Sequence, residues 1–289
     1  MDFTDFNIDG FNIGIVGVGL IGGSICKALT EDGCVNVYGI DIDENILDKA
    51  KSDGSIIKGF TDASDIIPKL DIVFMCLYEE GIYKFIEDQS NNFKDGVILT
   101  DTFGLKKELT ENIKNILPHQ AIFIGGHPMA GRESFGYEMS DKAIFDNTNY
   151  IITTELEDED NSLSALISCL NKLGDVNIIK ADPLEHDKIV ALTSHLPHII
   201  ATSLVRISKN FDNAKDFVGG SFKDYSRIAN INEVLWSDLL LSNKSEVISQ
   251  IENLENNLRD IKKAIRSGEE EVIKRILVDG RESLEMLKK

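Results

Sequence analysis

The chain has 289 residues, with 49 acidic against 30 basic side chains and a formal net charge of -19. Hydrophobic residues make up 42% and charged residues 27%, the balance of a soluble globular protein long enough for two domains with a core in each. The acid excess argues against extended contact with nucleic acid or an anionic membrane, both of which need a basic face, so an anionic ligand requires a locally positive pocket.

Cys26, Cys34, Cys76 and Cys169 are far apart and form no CxxC pair, so they read as reduced, buried small hydrophobes rather than a disulfide framework or a zinc site. The segment Met1 to Phe11 carries three aspartates and no basic region, unlike a signal peptide. No window approaches the roughly 18 uninterrupted apolar residues of a bilayer span, and the expected location is the cytoplasm.

In chain order, Asn12 to Gly17, Val35 to Ile40, Ile72 to Leu77, Val97 to Thr100 and Ala121 to Ile124 read as strands. Helical spacing fills Ile21 to Thr30, Glu44 to Ser52 and Leu105 to Leu117 between them. Near-continuous apolar strands alternating with helices predict an α/β, doubly wound parallel sheet covered on both faces. A strand at Tyr150 to Thr154, then a helix and a strand within Ser162 to Ile179, extend it, and the acidic run Glu155 to Asp160 reads as a solvated loop. After Asp182-Pro183 nothing reads as a strand, which divides the chain into domains of residues 1–181 and 182–289. Asp182 as N-cap and Pro183 at the first helical position open a long helix toward Asn210. Ile251, Leu254, Leu258, Ile261 and Ile265 step by three and four along a later helix, a seam suited either to intramolecular core or to contact between subunits.

The sequence Gly17-Val-Gly-Leu-Ile-Gly22 fits G-x-G-x-x-G, directly follows a strand and opens a helix. Its glycines allow the tight turn, the approach of a pyrophosphate and close packing of helix on strand, with Leu20 and Ile21 beginning the helix whose positive end faces the phosphates. Asp41 closes the second strand, 19 residues after Gly22. An acid there accepts hydrogen bonds from ribose hydroxyls and repels a 2′-phosphate, which favours NAD over NADP.

Three further segments carry chemistry. His127, in Gly126-His-Pro-Met-Ala-Gly-Arg-Glu133, follows a strand at the edge where open α/β sheets bind ligands; it suits a proton acceptor for an alcohol, or else a loop histidine bonded to backbone. His186-Asp187 and Ser194-His195-Leu-Pro-His198 read as a polar cluster on the long helix, thin evidence for a metal site. In Ser221 to Ala229, Lys223 and Arg227 are the cations, and Arg227 suits bidentate recognition of a carboxylate.

Taken in order, Gly17-Val-Gly-Leu-Ile-Gly-Gly-Ser24, Gly126-His-Pro-Met-Ala-Gly131 with Glu133, His186-Asp187 with Ser194-His-Leu-Pro-His198, and Phe222-Lys-Asp-Tyr-Ser-Arg-Ile-Ala229 resemble the prephenate/arogenate dehydrogenase family of tyrosine biosynthesis. The resemblance spans roughly Asn12 to Trp236. It implies a Rossmann-like domain followed by an all-α helical dimerisation domain, and a homodimer acting on prephenate with NAD and without metal. It implies catalytic roles for His127, Ser194 and His198, with His127 bonding the ring hydroxyl. Arg227, His195, Glu133, Arg132 and Trp236 fall on the substrate side, while Gly17, Gly19, Leu20, Ile21, Gly22, Asp41 and Asp101 fall on the cofactor side. The implied reaction is an oxidative decarboxylation to 4-hydroxyphenylpyruvate, in which hydride passes to NAD and the ring carboxylate leaves as carbon dioxide.

Two positions depart from the family. Gly104 stands where members carry a serine that bonds the histidine, leaving that bond to Thr102 or to water, or leaving His127 less well oriented. Arg132 replaces a small residue, and its added positive charge favours prephenate over arogenate. The alternatives are arogenate as substrate, another NAD(P)-dependent oxidoreductase acting on a 3-hydroxy acid or an imine, and a non-catalytic NAD-sensing module.

Overall fold

Short runs of Val, Ile and Gly form the strands β1 (Asn12–Val16), β2 (Asn36–Ile40), β3 (Lys58–Phe60), β4 (Ile72–Met75), β5 (Val97–Asp101), β6 (Ala121–Pro128), β7 (Thr148–Thr153) and β8 (Val176–Lys180). They make one sheet in the order β3-β2-β1-β4-β5-β6-β7-β8. This is seen in a computed structural model that describes residues 6–31, 33, 35–131, 135–157 and 160–287. Every residue of β4 and β5 is buried, as expected for strands covered on both faces. The covering helices of this part are α1 (Leu20–Thr30), α2 (Glu44–Ser52), α3 (Glu79–Gln89), α4 (Lys107–Ile116) and α5 (Asn161–Leu170).

The chain divides into two compact units, Met1–Asp187 and Lys188–Lys289. The first extends to Asp187 because that side chain is tied to the start of α4, accepting from the Lys106 and Lys107 N–H groups at 2.8 and 2.9 Å.

The sheet is parallel with one exception, for β7 runs antiparallel to β6. The reason lies in the connection. A parallel neighbour needs a crossover, usually helical. Among the described residues, the link from β6 to β7 holds only the single 3₁₀ turns Tyr137–Met139 and Lys142–Phe145. Strand β6 also extends beyond the expected Ile124: residues 121–124 pair with β5, and Gly125 to Pro128 pair with β7. His127 is therefore a residue of the strand rather than of the segment following it, in register with Ile151, and the alternative of a loop histidine is set aside. The short edge strand β3, Lys-Gly-Phe, lacks the apolar run that marks its neighbours.

Helix α6 (Pro183–Val190) opens as expected, with the Asp182 carboxylate accepting from Leu184 and Glu185 N–H at 2.9 and 3.1 Å. The helix expected to run unbroken toward Asn210 instead passes through one π turn, Ala191–His195, before α7 (Leu196–Ser208). Pro197 in the first turn of α7 has no N–H to donate, and a widened turn absorbs the missing bond. By length and composition alone Pro183–Ser208 could cross a bilayer, with a mean hydropathy of 1.2 over its best window. Ser194, His195 and His198 lie within this helix.

The second unit continues with α8 (Gly220–Arg227), α9 (Glu233–Ser242), α10 (Lys244–Ser267) and α11 (Glu270–Leu287). No strand occurs among its described residues. The periodic seam on α10 is not core in the single chain: Leu258 and Ile265 are 54% and 63% exposed, and only Val247 and Ala264 of this helix are buried. An apolar groove of about 860 Å³, lined by Leu204, Ile207, Phe211, Phe217, Val218 and Phe222, lies beside the end of α7.

Replacing Asp182 with Ala removes the acceptor for two first-turn N–H groups of α6. We expect a loss of about 1 kcal/mol, read as a lower midpoint in urea with unchanged slope.

Candidate active site at the carboxyl edge of the sheet

The strand order reverses between β1 and β4, and open α/β sheets bind ligands outside the carboxyl ends at such a switch point. The glycine turn from Gly17 to Gly22 lies on that edge. Gly17 has φ +87°, a left-handed conformation that disfavours a side chain, and its N–H donates to the Ile40 carbonyl at 2.8 Å. A Cβ at Gly22 would stand 2.0 Å from the Gly17 carbonyl oxygen, so the third glycine is fixed by the close return of helix onto turn. Gly19 is different, because nothing lies within 4 Å of where its Cβ would be. The open space faces the start of α1, and no side chain caps that helix. A bare helix N-terminus beside a vacant cradle suits the pyrophosphate of a dinucleotide, met by Leu20 and Ile21 in the first turn.

Asp41 follows β2 and holds the turn from the other side. Its Oδ2 accepts from Val18 N–H at 2.8 Å and its Oδ1 from Asp43 N–H at 3.0 Å. The carboxylate is thereby oriented at the strand end with lone pairs still available for ribose hydroxyls.

Asp101 has a different place from its expected cofactor side. It is fully buried at the end of β5, with Oδ2 accepting from Phe103 N–H at 2.8 Å and from the buried Lys106 ammonium, and Oδ1 accepting from Gly126 N–H at 3.1 Å. Its buried carboxylate fastens the ends of β5 and β6. Burial pulls the Lys106 ammonium below its ordinary range, an effect opposed by the Asp101 charge. A Cβ at Gly126 would stand 2.5 Å from the Asp101 carbonyl oxygen, so this glycine is needed for β6 to pass so close to β5.

His127, half-buried near the end of β6, has its Nδ1 2.8 Å from Nε2 of His186. His186 is 3% exposed and its Nδ1 lies 2.7 Å from Asp187 Oδ1. Thr102 does not supply the bond expected of it near Gly104, since its hydroxyl engages the Cys76 thiol, which burial pushes up to about 12. Cys26, Cys76 and Cys169 are free thiols. Cys34 lies outside the described residues.

In the second unit the structure brings His195, His198 and Trp236 together. The Trp236 ring is 4.0 Å from that of His198 and 5.9 Å from that of His195 between centroids. His198 Nδ1 donates to the Ile228 carbonyl at 2.7 Å, next in sequence to Arg227, an exposed residue at the end of α8. Ser194 sits half-buried in the π turn. Arg132 and Glu133 lie outside the described residues. No group of three or more His, Cys, Asp or Glu with metal-binding geometry occurs among the described residues.

Sequence reasoning had His186 and Asp187 as a cluster but not as partners of His127, because 59 residues separate the two histidines and only the sheet joins them. It missed Lys106 altogether, since a fully buried lysine runs against the ordinary behaviour of that residue.

A glycine turn at the switch point, an acid closing β2 and a histidine on the carboxyl edge define a Rossmann-type dinucleotide-binding protein with oxidoreductase chemistry. The chain belongs to the prephenate dehydrogenase family. Residues 25–179 match the family's nucleotide-binding domain and residues 182–279 its dimerization domain. It is 31% identical to the prephenate dehydrogenase of Lactococcus lactis over 92% of this chain and 75% of that one. The prephenate dehydrogenase of Bacillus subtilis is 29% identical, and the match covers 82% of this chain and only 66% of the relative. Among solved structures, the prephenate dehydrogenase of Aquifex aeolicus in complex with hydroxyphenyl propionate and NAD+ aligns at 29% identity and a TM-score of 0.85, covering 96% of this chain and 99% of that one.

A Gly22→Ala variant puts a methyl group into the Gly17 carbonyl. We expect dinucleotide affinity, measured by calorimetry, to fall at least tenfold, with stability also reduced; Gly19→Ala, which meets no protein atom, should weaken binding while leaving thermal stability unchanged.

Proposed function

We propose that the protein is an NAD-dependent prephenate dehydrogenase that converts prephenate to 4-hydroxyphenylpyruvate. The observation carrying this reading is His127 on the same carboxyl edge as the glycine turn, its Nδ1 already engaged by His186 and its ring half-buried. NAD supplies the hydride acceptor, and Gly17, Gly19, Leu20, Ile21, Gly22 and Asp41 would hold it. His127 Nε2 takes the proton of the ring hydroxyl as the carbon–hydrogen bond beside it breaks. The electron pair of the ring carboxylate's carbon–carbon bond then enters the ring, carbon dioxide leaves as the ring becomes aromatic, and the ring oxygen takes its proton back from His127. The developing ketone is thus never released, and aromaticity makes the step irreversible.

Residues 1–181 serve the cofactor and residues 182–289 the substrate and dimerisation in this reading. Arg227 takes a substrate carboxylate, and Ser194, His195, His198 and Trp236 line the substrate; the resemblance assigns Glu133 and Arg132 to substrate binding as well. Asp41 disfavours the 2′-phosphate of NADP. The match to a dimerization domain and the exposed apolar residues of α10 support a homodimer through the helical unit. The free thiols fit a cytoplasmic location.

His127→Asn should lower turnover by about 10²–10⁴-fold while NAD affinity stays unchanged; full turnover would remove His127 from the reaction. Arg227→Ala should act mainly on the Michaelis constant for prephenate, by roughly 2–5 kcal/mol if the ion pair is desolvated. An unchanged constant would contradict the carboxylate assignment. Catalytic efficiency should favour prephenate over arogenate, measured as NADH absorbance growth with each compound, and parity between them would refute the preference.

A further inference from the structure

We infer that His186 and Asp187 form a positioning pair that locks His127 in the tautomer carrying its proton on Nδ1, so that Nε2 carries the lone pair. This rests on the reading of His127 as the proton acceptor and adds how that acceptor is prepared.

The chain of reasoning begins at Asp187. Backbone N–H groups can only donate, so the Lys106 and Lys107 amides at 2.8 and 2.9 Å make both carboxylate oxygens acceptors. Asp187 Oδ1 also faces His186 Nδ1 at 2.7 Å, and an accepting oxygen there requires the proton to be on Nδ1. In a neutral His186 the remaining nitrogen, Nε2, carries a lone pair. That nitrogen lies 2.8 Å from His127 Nδ1, so His127 must donate, and its own Nε2 is left unprotonated. The opposite arrangement needs His186 as a cation donating from Nε2, which would put the His127 proton on Nε2 and disable it as an acceptor.

The pair is well built for holding a ring in place. His186 and Asp187 are 3% and 5% exposed, and Asp187 is itself fixed by the first turn of α4, where a carboxylate is favoured by the helix dipole. The arrangement has the logic of a base oriented by a buried carboxylate, with a second imidazole inserted between the two. When Nε2 takes a proton, the resulting imidazolium keeps donating from Nδ1 to His186, so no hydrogen bond is broken and the new charge faces the Asp187 carboxylate through one ring.

The test is the nitrogen-15 spectrum of the full-length protein with labelled histidines, the His127 signals being assigned by their loss in His127→Asn. We expect His127 to show a protonated Nδ1 and an unprotonated Nε2, and His186 to do the same. In His186→Leu, His127 should revert toward the Nε2-protonated form that free imidazole side chains favour, with turnover lowered about 10- to 100-fold and the Michaelis constant for prephenate near that of the parent. His186→Gln keeps an accepting oxygen and should restore both the tautomer and most of the turnover. An Nε2-protonated His127 in the parent, or a tautomer unmoved in His186→Leu, would overturn the inference, and the parent spectrum decides this even if a variant fails to fold. A tautomer that shifts while turnover stays intact would uphold the lock and instead defeat the reading of His127 as the acceptor.

Discussion

The arrangement at the carboxyl edge depends on two buried carboxylates used as fasteners. Asp101 ties the end of β5 to Gly126 of β6 and to the buried ammonium of Lys106, and Asp187 ties α6 to the first turn of α4. Desolvation offsets most of the Coulomb gain of such groups, so a buried ion pair adds little net stability over an apolar replacement. Removing one partner is another matter, costing about 3–5 kcal/mol because a buried charge is left uncompensated. The pairs therefore specify a geometry more than they stabilise a fold. Any conformation that moves β6 relative to β5, or α6 relative to α4, exposes a charge to a dry interior.

His127 inherits this geometry. Its backbone is held by the ladder to β7 on one side, its neighbour Gly126 is clamped to Asp101, and its ring is held through His186 by Asp187. In the proposed role as proton acceptor, His127 needs both position and tautomer set before substrate arrives, because a rotation during the reaction would add to the barrier. The first requirement is met by the sheet, the second by the hydrogen-bond chain. The glycine turn meets a comparable demand by subtraction. Gly17 and Gly22 are glycines because protein atoms leave no room for a Cβ, whereas at Gly19 the protein leaves the room unused. Tight packing explains two of the three, and the third stands where the proposed pyrophosphate would approach.

Much of this was legible in the sequence where a local rule operates. The apolar runs placed β1, β4 and β5, the G-x-G-x-x-G spacing placed the turn, and Asp182-Pro183 placed the start of α6, since each depends on neighbours in the chain. What was not legible depends on contacts between distant segments. The antiparallel direction of β7 follows from a connection without a crossover helix, which periodicity does not report. The π turn at Ala191–His195 needed the consequence of Pro197 to be followed one turn back along the helix. Asp101 was placed on the cofactor side by the resemblance alone, and its side chain is held by Lys106 and the Gly126 amide. A buried lysine five residues away leaves no trace in hydropathy, and only the fold shows which acid neutralises it.

The helical unit poses the complementary problem, apolar surface with nothing in the single chain to cover it. Leu258 and Ile265 on α10 and Phe211 and Phe217 beside α7 are each more than half exposed, while the same unit packs the imidazoles of His195 and His198 against Trp236. Burying polar rings while exposing aliphatic ones is unfavourable for an isolated helical bundle, because apolar area left in water forgoes about 25 cal/mol per Å². It becomes favourable when a second surface covers the apolar face, as in the proposed dimer, and when the rings take up a polar ligand, as in the proposed substrate site. His198 shows the second condition most directly. Its Nδ1 is committed to the Ile228 carbonyl, which can only accept, so the other nitrogen of the neutral ring is an acceptor. The hydrogen-bond logic that prepares His127 in the first unit is thus repeated in the second, with a backbone carbonyl standing where His186 and Asp187 stand.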